Sequence, residues 1–194
     1  MNTREEIILL SDDIIRRKGY SAFSYADLSS ILNIAKPAIH HHFRFKTDLG
    51  QAILDREIRI MAVARYKWLK NNQKGSVQLG ELISIFKQRS QKDQLCLTGA
   101  LAIEYEGFNP ELQQKCREMC EAIVDMIDNI LQTGLDDKTL RFEGPSKERA
   151  TMVAALLASS LQLSRIMGHN IFETIIDRMI AYLGADFKVD DIKN

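Results

Sequence analysis

The residues best suited to chemistry crowd into AKPAIHHHFRFK, positions 35–46, which holds three consecutive histidines, three fixed cations and no carboxylate. Metal binding is the first chemistry to test. On a helix, successive side chains point about 100° apart, so His40, His41 and His42 fan around the axis and do not converge on one ion. A helical metal pair needs i,i+4 spacing, which the triplet lacks. Cys116 and Cys120 have that spacing and could hold a soft metal or pack; packing is preferred, and neither a metal nor another cofactor is expected. With Cys96 they make three cysteines, an odd number that suits a reducing, cytoplasmic compartment. The sequence offers no Gly-rich phosphate loop, HExxH or local nucleophile motif, so an enzyme is not expected.

The elements that carry these residues read as helices throughout, because apolar residues recur at spacings of three and four while alternating runs are absent. Thr3 and Glu6 have capping-box spacing at the start of a first helix that carries Ile7, Leu10, Ile14 and Ile15 inward and stops at Gly19. Ser24-Tyr-Ala-Asp27 opens a short second helix expected to bury Leu28, Ile31 and Leu32, and Asn33-Ile34 forms a tight turn. Pro37 belongs in the first turn of a third helix over 36–43, where its missing N–H is no loss. A fourth runs over 46–70 with Leu49, Ile53, Ile60 and Val63 at core spacing. Further helices are expected over 76–90, 95–105, 110–132, 146–167 and 170–183, with Thr133-Gly134 and Phe142-Glu-Gly-Pro145 marking a loop before the last pair. The fold class is all-α, about nine helices: an N-terminal three-helix helix-turn-helix module (1–48) and a larger C-terminal helical bundle (49–194).

Charge narrows the partners. With 26 Lys/Arg against 26 Asp/Glu the chain is no polycation, and the first fifty residues hold seven bases and six acids, so any anion-binding surface is local. No run resembles a membrane span or a signal peptide, and no membrane partner is expected. Two short helices joined by a tight turn, the second opening with Lys-Pro and free of acids, suit entry into the major groove of double-stranded DNA. A solvated face that merely contains histidines fits the same residues.

The stretch GYSAFSYADLSSILNIAKPAIHHHFRFKTDL resembles the DNA-binding module of the TetR family of bacterial transcriptional regulators. The likeness runs from Thr3 to Leu54, with Gly19-Tyr20, Leu28, Ile31, Lys36-Pro37-Ala38-Ile39, His42-Phe43, Lys46 and Leu49 in register. It implies phosphate contacts from Ser24 and Tyr25. Lys36, Pro37 and Ala38 would face base edges, with His40, His41 and His42 along the groove side and Lys46 on phosphate, while Ile39 and Phe43 are core. Ala35 and Phe45 stand where the family commonly has serine, which predicts the loss of two side-chain N-caps. His40 replaces a usual tyrosine, from which operator affinity is expected to rise as pH falls through about 6.5.

Function in the remaining residues is read mostly through that likeness. Small residues in the 146–167 helix, with apolar partners in the last, make a homodimer seam of Ala155, Leu156, Ser159, Leu163, Met167, Ile175, Ile176 and Met179; intramolecular core is the competing reading. A pocket for an unknown small-molecule effector would draw on Met61, Trp68, Phe86, Cys96, Tyr105, Met119, Met126 and Gln162, each of which also fits plain core. CLTGALAIE, 96–104, is similar to the segment around the reactive cysteine of the electrophile-sensing, N-ethylmaleimide-type repressors, which would make Cys96 a sensor. Where that branch carries lysine, this chain reads LQLSR, with Ser164 and Arg165. The expected function is therefore a ligand-responsive transcriptional regulator, a repressor that binds a pseudo-palindromic operator. A helical adaptor that binds proteins without DNA is the alternative.

Overall fold

The computed structural model describes residues 2–192, and among them there is no strand. The helices are α1 (Thr3–Lys18), α2 (Tyr25–Leu32), α3 (Lys36–His42), α4 (Lys46–Lys70), α5 (Gly75–Gln91), α6 (Leu97–Leu101), α7 (Pro110–Asp136), α8 (Ser146–Met167) and α9 (Asn170–Tyr182). Short 3-10 turns occupy Tyr20–Ala22, Ala102–Gly107 and Val189–Asp191. The chain packs as two compact units, one of residues 1–59 with 97–119, the other of 60–96 with 120–194. The division expected at residue 48 follows chain order; the packing instead draws α6 and the start of α7 into the unit that contains α1–α3.

In that unit, α1 is capped by Asn2, whose side chain accepts the Arg4 N–H at 3.1 Å, so Thr3 lies inside the helix and not at its cap. Ile7, Ile8 and Ile15 are buried with Leu28, Ile39, Phe43, Leu49, Ile53 and Leu54, each worth about 1.5–3 kcal/mol of transfer free energy. Buried Arg16 is neutralised by Asp12 at 2.9 Å and Glu57 at 3.2 Å. Ile31 is 60% exposed and does not join this core. Along α4 the inward stripe continues from Leu49 and Ile53 through Glu57 to Met61, Ala64 and Trp68, a 3.6-residue progression. Ile60 and Val63 lie one position off it and are exposed.

The other unit is built on Trp68, Leu79, Ile83 and Phe86 packed with Ile127, Ile130 and Leu131 of α7, Val153, Leu157 and Leu161 of α8, and Phe172, Ile176 and Ile180 of α9. Gly134, expected in a loop, is buried inside α7. A Cβ on Gly75 would run into Gly134 backbone, and one on Gly134 into Leu140, so the glycine serves close approach and breaks nothing. The helix expected over 95–105 shortens to α6 and tightens into the 3-10 turn that carries Glu104. By length and mean hydropathy α8 could cross a membrane, which the sequence reading did not flag. Its composition has another origin: Val153, Leu157 and Leu161 face the core, while Met152, Leu163, Ile166 and Met167 are exposed on a second apolar side.

Candidate nucleic-acid interface

α3 is anchored by Ile39 and Phe43, both buried, which leaves Lys36, Pro37, His40 and His41 exposed and Ala38 and His42 half-buried. Its start has Pro in the first turn and no side-chain cap at Ala35, as the sequence led one to expect. The helix before it is fixed by a reciprocal cap. Asp27 accepts the Ser24 N–H at 2.7 Å, and the Ser24 hydroxyl accepts the Asp27 N–H at 3.4 Å. Hydrogen bonding from Ser24, with a smaller contribution from the Lys46 charge, holds the Asp27 carboxyl below the usual carboxylate range. The turn between the two helices closes on Asn33 in the left-handed region (φ 53°), and the Ser29 hydroxyl donates to the Ile34 carbonyl at 2.6 Å.

No carboxylate occurs between Asp27 and Asp48. Both of those bounding acids are consumed by helix starts, since Asp48 accepts the Phe45 N–H at 2.9 Å. That bond is one half of a capping box; the other half, a side-chain acceptor at 45 for the Asp48 N–H, is what phenylalanine cannot supply. The exposed cations Lys36 and Arg44 thus meet solvent without a nearby competing acid on α3. His40 packs edge-on to Tyr25 with ring centroids 4.8 Å apart, and its Nδ1 lies 3.3 Å from the Arg44 carbonyl. When Nδ1–H donates to that carbonyl, Nε2 is the atom left for a partner.

Two of the expected contact residues point elsewhere. Tyr25 is buried, and its hydroxyl has no hydrogen-bond partner among the described residues. Burial, with Asp48 nearby, pushes its phenol above the ordinary tyrosine range. In this conformation its ring is packing and its hydroxyl does not reach the surface. Lys46 donates from Nζ to the Phe23 carbonyl at 2.6 Å and sits 4.1 Å over the Phe23 ring and 4.7 Å over the Tyr20 ring. Burial lowers the Lys46 pKa, and Glu104 and Asp27 oppose that shift. It fastens α4 to the turn before α2, so a phosphate contact would require it to release Phe23.

The sequence reading missed Glu104. Its carboxylate accepts the Ser21 N–H at 3.1 Å and the Ser21 hydroxyl. Burial acts to raise its pKa, but these bonds, the Tyr20 backbone and the Lys46 charge outweigh burial and hold it below the usual range. Gly19, at φ 99° and ψ 167°, leaves room for the carboxylate: a Cβ there would stand 3.1 Å from Glu104 Oε1. A pairing across 83 residues has no local signature; only the glycine hinted at a special turn.

The eight residues proposed for an effector pocket do not share one unit. Trp68, Phe86, Cys96 and Met126 are buried in the core that holds α8 and α9, and Met61 packs against it. Tyr105 and Met119 belong to the other unit, with the Tyr105 hydroxyl bonded to Arg117, and Gln162 is exposed on α8. Of the expected seam, Leu163 and Met167 are 40% and 61% exposed, Ala155 is exposed, and Leu156, Ser159 and Ile175 are half-buried. Ile176 and Met179 are corrected to core, because they fall on the α9 face turned toward Phe172 and Ile180. None of the three cysteines is in a disulfide. Cys116 is buried and Cys120 exposed, and burial first, then the neighbouring Cys96, raises the Cys120 thiol pKa.

Residues 7–53 match the family model for bacterial regulatory proteins of the tetR family. The segment that forms α1 to the start of α4 matches the TetR family of regulators. Over 169 residues, 83% of each chain, it is 21% identical to the HTH-type transcriptional repressor NemR of Escherichia coli. The fold agrees with a TetR transcriptional regulator from Legionella pneumophila at TM-score 0.82 and 22% identity, covering 100% of this chain and 98% of that one. It agrees with the reduced form of E. coli NemR at TM-score 0.75 and 18% identity, covering 94% and 97%. TetR-family proteins are regulators and not enzymes as a class, and α1 through the start of α4 is the segment that carries the match.

Proposed function

We propose that the protein is a homodimeric repressor, working in the cytoplasm, that inserts α3 into successive major grooves of a pseudo-palindromic operator and leaves it when a small molecule or thiol-reactive signal binds. The observation that carries this is the acid-free face of α3, with Lys36, Pro37, His40 and His41 exposed above the Ile39 and Phe43 anchor. Ser24, at the N-cap of α2, remains a phosphate contact in this reading; Ala38 and His42 are partly shielded contacts. One short helix reads too few base pairs for useful specificity, so a second copy is needed. The exposed apolar side of α8, running through Met152, Ala155, Leu163, Ile166 and Met167, supports pairing of two copies there. Release requires the signal to favour the conformation that does not fit DNA, and only by its difference in affinity.

A thiol-reactive signal acting at Cys96 meets a side chain that is only 4% exposed, so modification needs local opening. Ser164, in the place where the electrophile-sensing branch has lysine, is hydrogen-bonded to Ser90 at 2.7 Å. Labelling of Cys96 is therefore expected to be slower than that of Cys120. The test of the whole reading is a gel shift with DNA flanking the gene, with salt titration and Leu163→Asp as the seam variant. Specific binding that weakens steeply with salt, and a seam variant that is monomeric and binds poorly, support it; binding that ignores salt or sequence favours the adaptor alternative.

A further inference from the structure

On the exposed side of α3 one residue is held in a way that restricts what it can recognise. Lys36 and His40 stand four residues apart and are both exposed, so they share one side of the helix. The His40 Nδ1 lies 3.3 Å from the Arg44 carbonyl. A carbonyl oxygen only accepts, so this contact is a hydrogen bond when the single ring proton of neutral histidine sits on Nδ1. Nε2, on the far side of the ring, then carries a lone pair and no proton. The buried Tyr25 ring lies edge-on to the imidazole, centroids 4.8 Å apart, and restricts its rotation. Nε2 has no hydrogen-bond partner among the described residues.

The charged and titratable groups around the ring leave that atom available. On α3 itself these are Lys36 and His41, and from α1 Arg4 lies over the Phe43 ring. Arg44, in the loop after α3, lies 5.1 Å over the Phe45 ring. From α2 come Tyr25 and Asp27, the latter bound to Ser24; from α4 come Lys46, bound to the Phe23 carbonyl, and Asp48, bound to the Phe45 N–H. No carboxylate pairs with His40 among the described residues, so Nε2 is free to take its partner from DNA. In the major groove cytosine offers only a donor, its N4 amino group, and guanine only acceptors, O6 and N7, while adenine offers both. A bare Nε2 accepts and suits cytosine or adenine. A protonated Nε2 donates and suits guanine, and the Nδ1–H bond to Arg44 is kept in both states. We propose that His40 reads one base pair per half-site, and that proton uptake at Nε2 reverses the favoured orientation of a G·C pair there, from cytosine to guanine on the contacted strand. His40 does so only if α3 enters the groove as the repressor reading has it. Acidification charges any histidine near phosphate and strengthens binding to every sequence; only a base-edge contact alters the preference.

The test selects binding sites for the full-length protein from duplexes with a randomised core of about 20–30 base pairs, long enough for two half-sites one helical turn apart. Selection and sequencing are run at fixed salt at about pH 8 and about pH 5.5, on either side of the ordinary histidine range. Wild type is expected to select a two-fold symmetric site in which one base pair per half-site moves from cytosine or adenine to guanine on acidification. Anisotropy on duplexes that differ only in the orientation of that pair in one half-site should show the affinity ratio shifting by about threefold to tenfold, as one hydrogen bond does. His40→Phe should keep the rest of the site and lose the pH-dependent preference. His40→Gln, which has a donor and an acceptor at every pH, should select adenine in both conditions. Circular dichroism checks that the variants fold; if either does not, the wild-type selections decide alone. The same base preferences at both pH values overturn the proposal and leave the repressor reading standing. A reversal that persists in folded His40→Phe belongs to another residue and also overturns it. No selected sequence at either pH, with wild type folded, strikes the repressor reading itself and the role of His40 with it.

Discussion

Gly19→Ala probes the tie between Glu104 and the turn that leads into α2. Two penalties add. The backbone at φ 99° and ψ 167° lies in a region essentially reserved for glycine, and an alanine there stores about 1–3 kcal/mol. The new methyl would also stand 3.1 Å from Glu104 Oε1 and push the carboxylate off Ser21. Hydrogen bonds to a charged acceptor are worth about 1.5–3 kcal/mol when buried, but Ser21 is exposed and water replaces much of them, so about 0.5–1 kcal/mol is the fair figure. The total, about 1.5–4 kcal/mol, corresponds to a melting shift on the order of 3–16 °C for a chain of this length. Urea denaturation followed by circular dichroism, in wild-type and Glu104→Ala backgrounds, measures both parts. Gly19→Ala should be milder by about 0.5–1 kcal/mol when Glu104 is absent, while the backbone strain persists. Gly107→Ala, whose Cβ would meet nothing within 4 Å, is the control and should be nearly neutral. A Gly19→Ala effect below about 0.5 kcal/mol, or the same effect in both backgrounds, would refute this reasoning.

Three shorter expectations follow from the same unit. Lys46→Met keeps an unbranched stem over Tyr20 and Phe23 but loses the bond to the Phe23 carbonyl; stability should drop by about 1 kcal/mol while the salt slope of operator binding stays put, and a shallower slope would mean Lys46 does reach phosphate. Glu104 has a depressed pKa, so its contribution is present above the ordinary glutamate value and is lost as pH falls through the folded one; stability below about pH 4.3 should therefore decline less in Glu104→Gln than in wild type, as read by urea midpoints at pH 3–7. Tyr25→Phe removes a buried hydroxyl without a partner, so it should be neutral or stabilising by up to about 1 kcal/mol with operator affinity unchanged; a loss of affinity would return Tyr25 to the contact set.

The legible part of the fold was what local chemistry dictates. Pro37 and the Ser24–Asp27 pair announced their helix starts, Asn33 its left-handed turn, and the acid-free run its exposed face. What stayed hidden depended on partners distant in sequence. Ile60 and Val63 fit a core stripe until the position of Met61, Ala64 and Trp68 fixes which side of α4 turns inward. Ile176 and Met179 looked as fit for a seam as Leu163, because apolar character does not say which surface covers it. Lys46 looked like a phosphate ligand since nothing nearby in sequence reveals the rings of Tyr20 and Phe23 beneath it. The Glu104 contact with Ser21 is a product of packing and carries no motif.

The central claim is that the leading edge of α3 meets DNA, and Lys36 tests it most directly. Fluorescence anisotropy of labelled DNA flanking the gene, titrated from low to moderate salt, compares wild type with Lys36→Ala. Two copies of Lys36 per dimer should each neutralise one phosphate or meet a base edge. The account therefore predicts weaker binding by at least about tenfold, a log–log salt slope shallower by up to about two, and an unchanged melting temperature, since Lys36 is exposed. Unchanged affinity and slope in a folded, dimeric Lys36→Ala protein would contradict it.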